Sequence, residues 1–250
     1  MSLGLESKVL TDNGFVFMKD LMDGFGYKMW NGDYFVSKNI NINFSDDIRL
    51  YKVMLNNGLE LVCDEDYIKD ICNIFNKIPA INPMRRYFDP FTRGLYATQL
   101  MDEDDNIIKT SNRELLTKLK YDYYVNDNNE YRIHVKYDSK YFVPMNYCMN
   151  DKVKWLDGFF SGGYELDDDN VIIKGNIKLL QDISLLLMTC GIVCRLHNYK
   201  LYIPQNKIAH IGDFNFLKLD KSLFDYEFGY NIEVESVVDT EYDYTYKIVN

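Results

Sequence analysis

Short runs of alternating apolar and polar residues fill the first part of the chain. Two of these runs are each interrupted by an Asn-Gly pair, Asn13-Gly14 and Asn57-Gly58. Such a pair between β-rich runs favours a hairpin, because both residue types tolerate positive φ. The chain up to about residue 65 is therefore predicted to be β-rich.

Helical spacing replaces the alternation in the middle of the chain. Ser111 followed by Glu114 is a capping-box pattern that predicts one helix. A second helix is predicted from about Asp151 to Ser161, and a third over 176–193 with Gly191 as its stop. Alternation returns in "EYRIHVKYD" and "VCRLHNYKLYIP", which predict strands.

The order of these elements predicts an α+β fold. Helices and strands mix from about Ile81 to His210, and the text from Gly212 onward is β-rich again. A β-rich head and tail around an α+β centre suggest one domain inserted into another. We expect the head and tail, residues 1–80 and 211–250, to form one domain and residues 81–210 to form the insert.

Composition narrows the class of protein. An apolar share of 47% is ample for a packed core, while the net charge of -10 lowers the expectation of tight nucleic-acid binding. The five cysteines are scattered and predict structural thiols in a reducing compartment, the cytoplasm, with Cys190 and Cys194 on one helical face. No apolar run approaches the roughly 20 residues that cross a bilayer, so we expect no membrane partner. We also expect the protein to be a monomer.

Two stretches in the centre resemble a known family. "VPMNYCMNDKVKWLDGFFSGGY" and "NIKLLQDISLLLMTCGIVCRLH" are similar to the second motif region of the LAGLIDADG homing endonucleases and to the helix and strand that follow it. The resemblance implies two motif helices packed at a pseudo-two-fold axis, with Gly158 and Gly162 on the shared face. It also implies an acidic residue at each helix end that binds a divalent metal for DNA cleavage.

The acidic positions depart from the family pattern. The resemblance places the second acid at Gly163, which has no ligand oxygen, and Glu165 follows two residues later. The first motif falls in "FTRGLYATQLMDEDDNII", where Thr98 and Gln99 replace small apolar residues. If the nuclease is active, Mg²⁺ would be held by Asp102, Asp104 and Glu165, with Glu103 as a further candidate. The alternative is that Asp102 to Asp105 and Asp167 to Asp169 are solvated turn acids.

The head and tail resemble a second family, the inteins. "SLGLESKVLTDNGFVFMKDL" and "VMLNNGLELVCDEDY" look like the first two blocks of an intein, and "VESVVDTEYDYTYKIV" resembles the late strand pair. The resemblance implies a Hint-type splicing domain whose partners are the flanking segments of a host protein.

The catalytic positions of splicing are substituted in this sequence. Ser2 stands at the nucleophile position, and the alternatives are that it remains from a cloning vector or is an inactivating substitution. Cys63 and Asp66 replace the threonine and histidine of the second block, and we expect both to be structural. Asn250 is either the cyclising asparagine without its histidine, or "TYKIV" belongs one block earlier and the last block is missing.

Basic strand residues supply a candidate surface for double-stranded DNA. They alternate with Tyr131, Tyr137 and Tyr199, and they are Arg132, Lys136, Lys140, Arg195 and Lys200. In the resembled endonucleases the sheet surfaces form the DNA saddle. Because these surfaces have few positive charges and the whole chain is acidic, we expect modest, salt-sensitive DNA binding. The isolated histidines, His134, His197 and His210, are interpreted as structural.

These observations lead to one principal hypothesis and two alternatives. The principal hypothesis is an intein-like self-splicing element that carries a degenerate LAGLIDADG endonuclease. The first alternative is an active site-specific homing endonuclease that makes metal-dependent double-strand cuts. The second is a non-catalytic DNA-binding module on the same scaffold.

Overall fold

The structure is a computed structural model that describes residues 2–4, 6–23, 26–37, 39–43, 49–99, 106–126, 128–137, 139–219, 228–240 and 245–249. Within these ranges the chain is α+β, with several antiparallel sheets and six α-helices. No helix in the described part of the chain has the length and apolarity needed to cross a bilayer.

The first part of the chain is mostly strands, as predicted. It contains β1 (Ser2–Leu3), β2 (Lys8–Thr11), β3 (Gly14–Phe17), a 3-10 helix (Met18–Asp23), β4 (Lys28–Trp30), β5 (Phe35–Ser37), β6 (Asn39–Asn43), β7 (Leu50–Leu55), β8 (Glu60–Cys63) and helix α1 (Glu65–Phe75). Hairpins are confirmed at both Asn-Gly pairs, because β2 pairs with β3 and β7 with β8. Gly14 (φ 102°) and Gly58 (φ 84°) adopt the left-handed backbone that these turns require.

The centre alternates helices with short strands. It contains α2 (Pro90–Thr98), β9 (Ile107–Thr110), α3 (Arg113–Leu116), β10 (Tyr123–Val125), β11 (Tyr131–His134), α4 (Met149–Ser161), β12 (Glu165–Leu166), β13 (Asn170–Lys174), α5 (Ile177–Met188), β14 (Arg195–His197), β15 (Lys200–Pro204) and α6 (Gln205–Ala209). The last strands are β16 (Val234–Thr240) and β17 (Thr245–Val249).

Two details of the helix predictions are wrong. Asn112, not Ser111, caps α3, because its side-chain oxygen accepts from the Glu114 amide, and α3 is one turn long. Helix α5 ends at Met188, so Cys190 and Cys194 lie beyond it, although both are buried. Gly191 follows that end at φ 78°, a left-handed conformation that terminates helices.

Strands from the two ends of the chain share one sheet. Its order is β16-β7-β8-β1-β17-β6, so β16 and β17 alternate with strands from the first 63 residues. Within it Ser2 is opposite Lys247, and Leu3 is opposite Cys63. A second sheet, in the order β3-β2-β4-β5, contains only strands from the first part of the chain.

The centre contains the same unit twice. The first unit is α2-β9-α3-β10-β11 and the second is α4-β13-α5-β14-β15. In each, the last strand lies between the other two, giving the orders β10-β11-β9 and β14-β15-β13, and the second unit adds β12 at its edge. The units therefore agree in element order and in strand order.

Among the described residues, three apolar clusters form the core. One lies under the head sheets and includes Leu3 and Phe75, and Leu185 and Met188 of α5 also belong to it. The largest surrounds α4 and α5, and a small one surrounds α2 and β11. Helix α5 is thus shared between the core of the second unit and the core of the head.

Candidate functional site

Helices α2 and α4 approach each other through two glycines. A Cβ on Gly94 would overlap the carbonyl oxygen of Trp155, and a Cβ on Gly158 would overlap that of Phe91. Only glycine permits backbones to come this close. The prediction that Gly158 and Gly162 face another helix agrees with this geometry, since a Cβ on Gly162 would overlap Thr98.

The contacts at this crossing are reciprocal. Each glycine faces the backbone carbonyl three residues before the other glycine and the amide nitrogen of the residue after it. A two-fold relation between the helices therefore pairs Phe91 with Trp155, Gly94 with Gly158, Leu95 with Phe159 and Thr98 with Gly162, at constant spacing along the chain. The same spacing pairs Gln99 with Gly163.

Neither helix ends on a carboxylate. Gln99 is the C-cap of α2, and its Oε1 accepts from the Lys109 amide at 3.0 Å. Gly163 follows the end of α4 at φ 132°, a conformation that strains any residue with a Cβ. The two symmetric positions are therefore occupied by an amide, already bonded to backbone, and by a residue without a side chain.

A cleft of about 480 Å³ opens beside these helix ends. Its lining includes Gln99, Lys109, Ser111, Glu130, Ser161 and Gly162. Among the described residues of the lining the carboxylate is that of Glu130, which interacts with Arg132 Nε at 3.3 Å and Asn126 Nδ2 at 3.1 Å. This carboxylate is therefore already paired with a cation.

Of the predicted metal ligands, the structure describes Glu165 but not Asp102, Glu103 or Asp104. Glu165 lies exposed on β12, outside the cleft lining, and forms an ion pair with Lys174 on β13. The hydrogen bond from Lys174 is the main cause that lowers the pKa of Glu165; desolvation opposes it, and the charges of Lys174 and Lys200 add to the lowering.

A divalent cation needs several oxygen donors at one point. In the ranges that the structure describes, no group of three or more His, Cys, Asp or Glu side chains could hold a metal ion. With Gln99 bonded to backbone and Glu165 paired, the described helix ends do not fit Mg²⁺.

The sheet of the first unit presents a cation beside aromatic rings. Arg132 has Tyr124 and Lys109 as its partners on the neighbouring strands, so the three side chains share a face. Ile133 points to the opposite face and is fully buried in the small core. Hydrogen bonding to Tyr124 is the main cause of the raised pKa of Arg132, with Glu130 contributing further.

The sheet of the second unit presents a row of basic side chains. Lys200 lies between Lys174 and His197 in register, and Arg195 is paired with Tyr202 on the same face. Leu196 and Leu201 point to the other face and join the large core. Two lysines directly opposite each other repel, but Glu165 on β12 pairs with Lys174, so Lys200 and Arg195 are the cations of this face that favour an anionic partner.

The remaining predicted DNA-binding residues lie outside the strands. Lys136 is exposed just after β11, and Lys140 lies in a turn with its amine 6.0 Å from the ring centre of Tyr141. Arg132, Arg195 and Lys200 are thus placed on sheet faces, whereas Lys136 and Lys140 are not. His134 and His197 share those faces and His210 follows α6; all three are exposed.

Charge is unevenly divided along the chain. Basic and acidic residues are equal in number within 81–210, so the net charge of -10 lies entirely on the head and tail. The centre itself therefore has no net charge, and the acidic balance comes from the head and tail.

The residues assigned to splicing positions occupy different environments. Ser2 lies in β1, between β8 and β17. Cys63 is fully buried at the end of β8, and burial, with the nearby Asp64 charge, raises the pKa of its thiol to about 12. Asp66 is exposed in the first turn of α1, 3.5 Å from Lys69. Asn250 lies outside the described residues.

The thiols of the centre are also buried. Burial raises the pKa of Cys190 to about 11 and that of Cys194 well above its ordinary value. Such thiols stay protonated at neutral pH and pack as small apolar groups.

The sequence patterns did not single out Gly94 or Lys174, and they marked Gln99 only as a substitution and not as the counterpart of Gly163. Gly94 and Gln99 could have been found by aligning "RGLYATQL" with "DGFFSGGY", which matches glycine to glycine and Gln99 to Gly163. Lys174 has no such signal, because its place opposite Lys200 depends on strand register.

No family model matches the chain, and no curated protein matches it.

Proposed function

We propose that this chain is an intein-like protein in which a β-rich splicing-type domain carries a degenerate LAGLIDADG-type DNA endonuclease. The observation that carries the proposal is the reciprocal contact of Gly94 and Gly158 at a helix crossing whose two ends lack carboxylates. A glycine-mediated helix pair is what the resembled endonucleases use to join their halves, and the acid positions fall on Gln99 and Gly163. The centre is therefore a DNA-binding scaffold with little or no cleavage activity.

The sheet shared by the chain ends supports the splicing part of the proposal. Splicing requires the two junctions to be close together, and the pairing of Ser2 with Lys247 places the head strand beside the late strand of the resembled splicing domain. The buried, protonated thiol of Cys63 and the exposed carboxylate of Asp66 supply no group that polarises the first peptide bond. We therefore expect inefficient splicing.

Cleavage is tested by incubating the full chain with the uninterrupted host gene and Mg²⁺ or Mn²⁺. We expect no specific double-strand cut. Specific cuts would overturn the degenerate assignment and favour the active endonuclease. In that case Glu165→Gln should abolish cutting if Glu165 is a metal ligand, whereas Asp169→Asn, a nearby turn acid, should leave cutting unchanged.

Splicing is tested with the chain placed between its native flanking segments. We expect little spliced product from the natural sequence and more from Ser2→Cys, because a thiol is the better nucleophile. Equal absence of product from both would remove the splicing assignment and leave a binding module.

A non-catalytic DNA-binding module is the second candidate. The opposed Lys174 and Lys200, with Arg195 on the same face, favour it. Duplex binding should weaken steeply between 50 and 200 mM salt, since each neutralised phosphate releases counterions. Lys200→Ala should reduce that salt dependence by about one phosphate contact. Binding that is insensitive to salt would argue against this face.

A further inference from the structure

The edge strand of the first unit exposes three consecutive apolar side chains. Tyr123 is 51% exposed, Tyr124 44% and Val125 50%. Strand β10 pairs only with β11 in the described structure, so its other edge is open. Natural proteins usually protect edge strands with charges or short bulges, and an exposed aromatic edge indicates a binding surface.

Two rings on this strand pair are stacked. The Tyr124 ring lies 5.6 Å from the His134 imidazole, with 24° between the planes. Arg132 is the register partner of Tyr124 and lies two residues before His134, on the same face. We call Tyr124, Arg132 and His134 the aromatic platform. Lys136 follows it, exposed, and supplies a second cation.

Such a platform fits a base whose ring face is free. In a duplex every base is stacked between its neighbours, so an aromatic side chain reaches only base edges and sugars. In an unpaired strand each base can stack on a tyrosine or histidine, which stabilises binding by about 1–3 kcal/mol per base.

The second unit lacks this arrangement. Its outer face has Lys174, Lys200 and Arg195, but no stacked ring pair occurs among the described residues of that sheet. Tyr199 is 69% exposed, but it lies in the turn between β14 and β15, away from that row of charges. The two sheets therefore present different chemistry, with stacking surfaces on one and positive charge on the other.

We propose that the aromatic platform binds an unpaired nucleic-acid strand, whose bases stack on Tyr124 and His134 and whose phosphates contact Arg132 and Lys136. Glu130, 3.3 Å from Arg132 Nε, competes with the phosphate. We expect this binding to be sensitive to salt and to cover only a short stretch of the strand. This site requires neither splicing nor DNA cleavage.

The test is fluorescence anisotropy of the full chain with a labelled oligothymidylate of about 12 nucleotides, within the site size of single-strand binders. An oligouridylate and a duplex of equal length are measured in parallel. We expect the single strands to bind more tightly than the duplex, and the better of the two identifies the preferred sugar. Tyr124→Ala should weaken single-strand binding about tenfold, equivalent to about 1.4 kcal/mol.

Two matched variants separate stacking from other effects. Tyr124→Phe keeps the ring and should retain most of the binding, whereas Tyr199→Ala removes an even more exposed tyrosine outside the platform and should change nothing. Unchanged single-strand binding in Tyr124→Ala would overturn the proposal, as would equal losses in Tyr124→Ala and Tyr199→Ala or preferential binding of the duplex. Specific DNA cleavage would refute the degenerate-nuclease proposal and leave this one intact.

Discussion

The two units of the centre have the same order of elements but differ in size and in core packing. Helix α5 in the second unit has 12 residues, whereas its counterpart α3 in the first has 4. The second unit also has β12 and α6, and its core is the largest in the molecule. Through Leu185 and Met188 it is continuous with the core of the head. The first unit rests on a small cluster and on the helix crossing.

This difference separates stability from recognition. An element with many buried neighbours opens only with the whole molecule, while a thin one opens locally at low cost. The second unit shares its core with the head, and the first unit contacts the second through the crossing of α2 and α4. Two exposed aromatic residues, Tyr123 and Tyr124, lie next to each other on the first unit.

The positions next to the two glycines show how each unit is fastened. Arg93 and Asp157 are both buried, and each precedes its glycine. Arg93 donates to the carbonyl of Ser139, while Asp157 accepts from the backbone amides of Asn215 and Phe216. The residue before the glycine therefore has opposite charge in α2 and α4, and it hydrogen-bonds each helix to a different flanking segment.

The largest expected loss of stability comes from adding a Cβ where α2 and α4 cross. In an ordinary helix interior, glycine to alanine stabilises by about 1 kcal/mol. Gly158→Ala instead places a methyl against the Phe91 carbonyl and should cost about 3 kcal/mol, because two backbones must separate. Urea unfolding measures the loss.

Two further variants sharpen this result. Gly94→Ala should cost about as much stability as Gly158→Ala. The double variant should cost less than the sum of the two, because a second Cβ pushes helices that are already separated little further apart. Gly175→Ala, whose new Cβ would lie 3.9 Å from Leu180 Cδ2, should change stability by no more than about 0.5 kcal/mol. Stabilisation by Gly158→Ala would show that the crossing is looser than described.

The next effect comes from the buried carboxylate of α4. Asp157 accepts from the amide and side chain of Asn215 and from the amide of Phe216, at 2.7 to 3.0 Å. Asp157→Asn keeps the shape but turns an NH₂ toward a donor, and should cost about 2 kcal/mol. Asp213→Asn, an exposed acid in the same segment, is the control in thermal unfolding. Equal shifts in the two variants would mean that Asp157 is merely solvated.

The element types and the second helix could be predicted, because their signals are local. Asn-Gly turns and the apolar spacing of 149–161 do not depend on distant partners. Strand register could not be predicted, so neither the opposition of Lys174 and Lys200 nor the pairing of Ser2 with Lys247 was anticipated. The cap of α3 was misplaced by one residue because Ser111 and Asn112 are both good N-caps, and only geometry chooses between them.

A matched pair of core variants tests whether the units unfold separately. Ile133 and Ile183 are both fully buried, one in each unit, and Ile→Val should cost about 1 kcal/mol at either site. Hydrogen exchange should distinguish them. Ile183→Val should lower protection in α5 and in the head, because they share a core, whereas Ile133→Val should lower it mainly in β9 to β11. Identical exchange patterns would mean that the two units open as one.

The smallest expected effect concerns the carboxylate of Asp151, which connects the start of α4 with the segment just before α2. Asp151, in the first turn of α4, accepts from the Tyr87 amide at 2.7 Å and from Arg86 Nε at 3.0 Å, just before α2. Burial alone would raise the pKa of Asp151, but these hydrogen bonds and the Arg86 charge outweigh it and lower the pKa. Its stabilising contribution is therefore present above the unfolded pKa of about 3.9 and is lost as the pH falls through the lower folded value. Asp151→Asn keeps one acceptor for Tyr87, and Arg86 stays hydrated, so the loss at pH 7 should be about 1 kcal/mol or less. The difference in unfolding free energy between the natural chain and the variant should shrink as the pH falls below about 4. A difference that stayed constant down to acid pH would show that Asp151 acts through shape and not through charge.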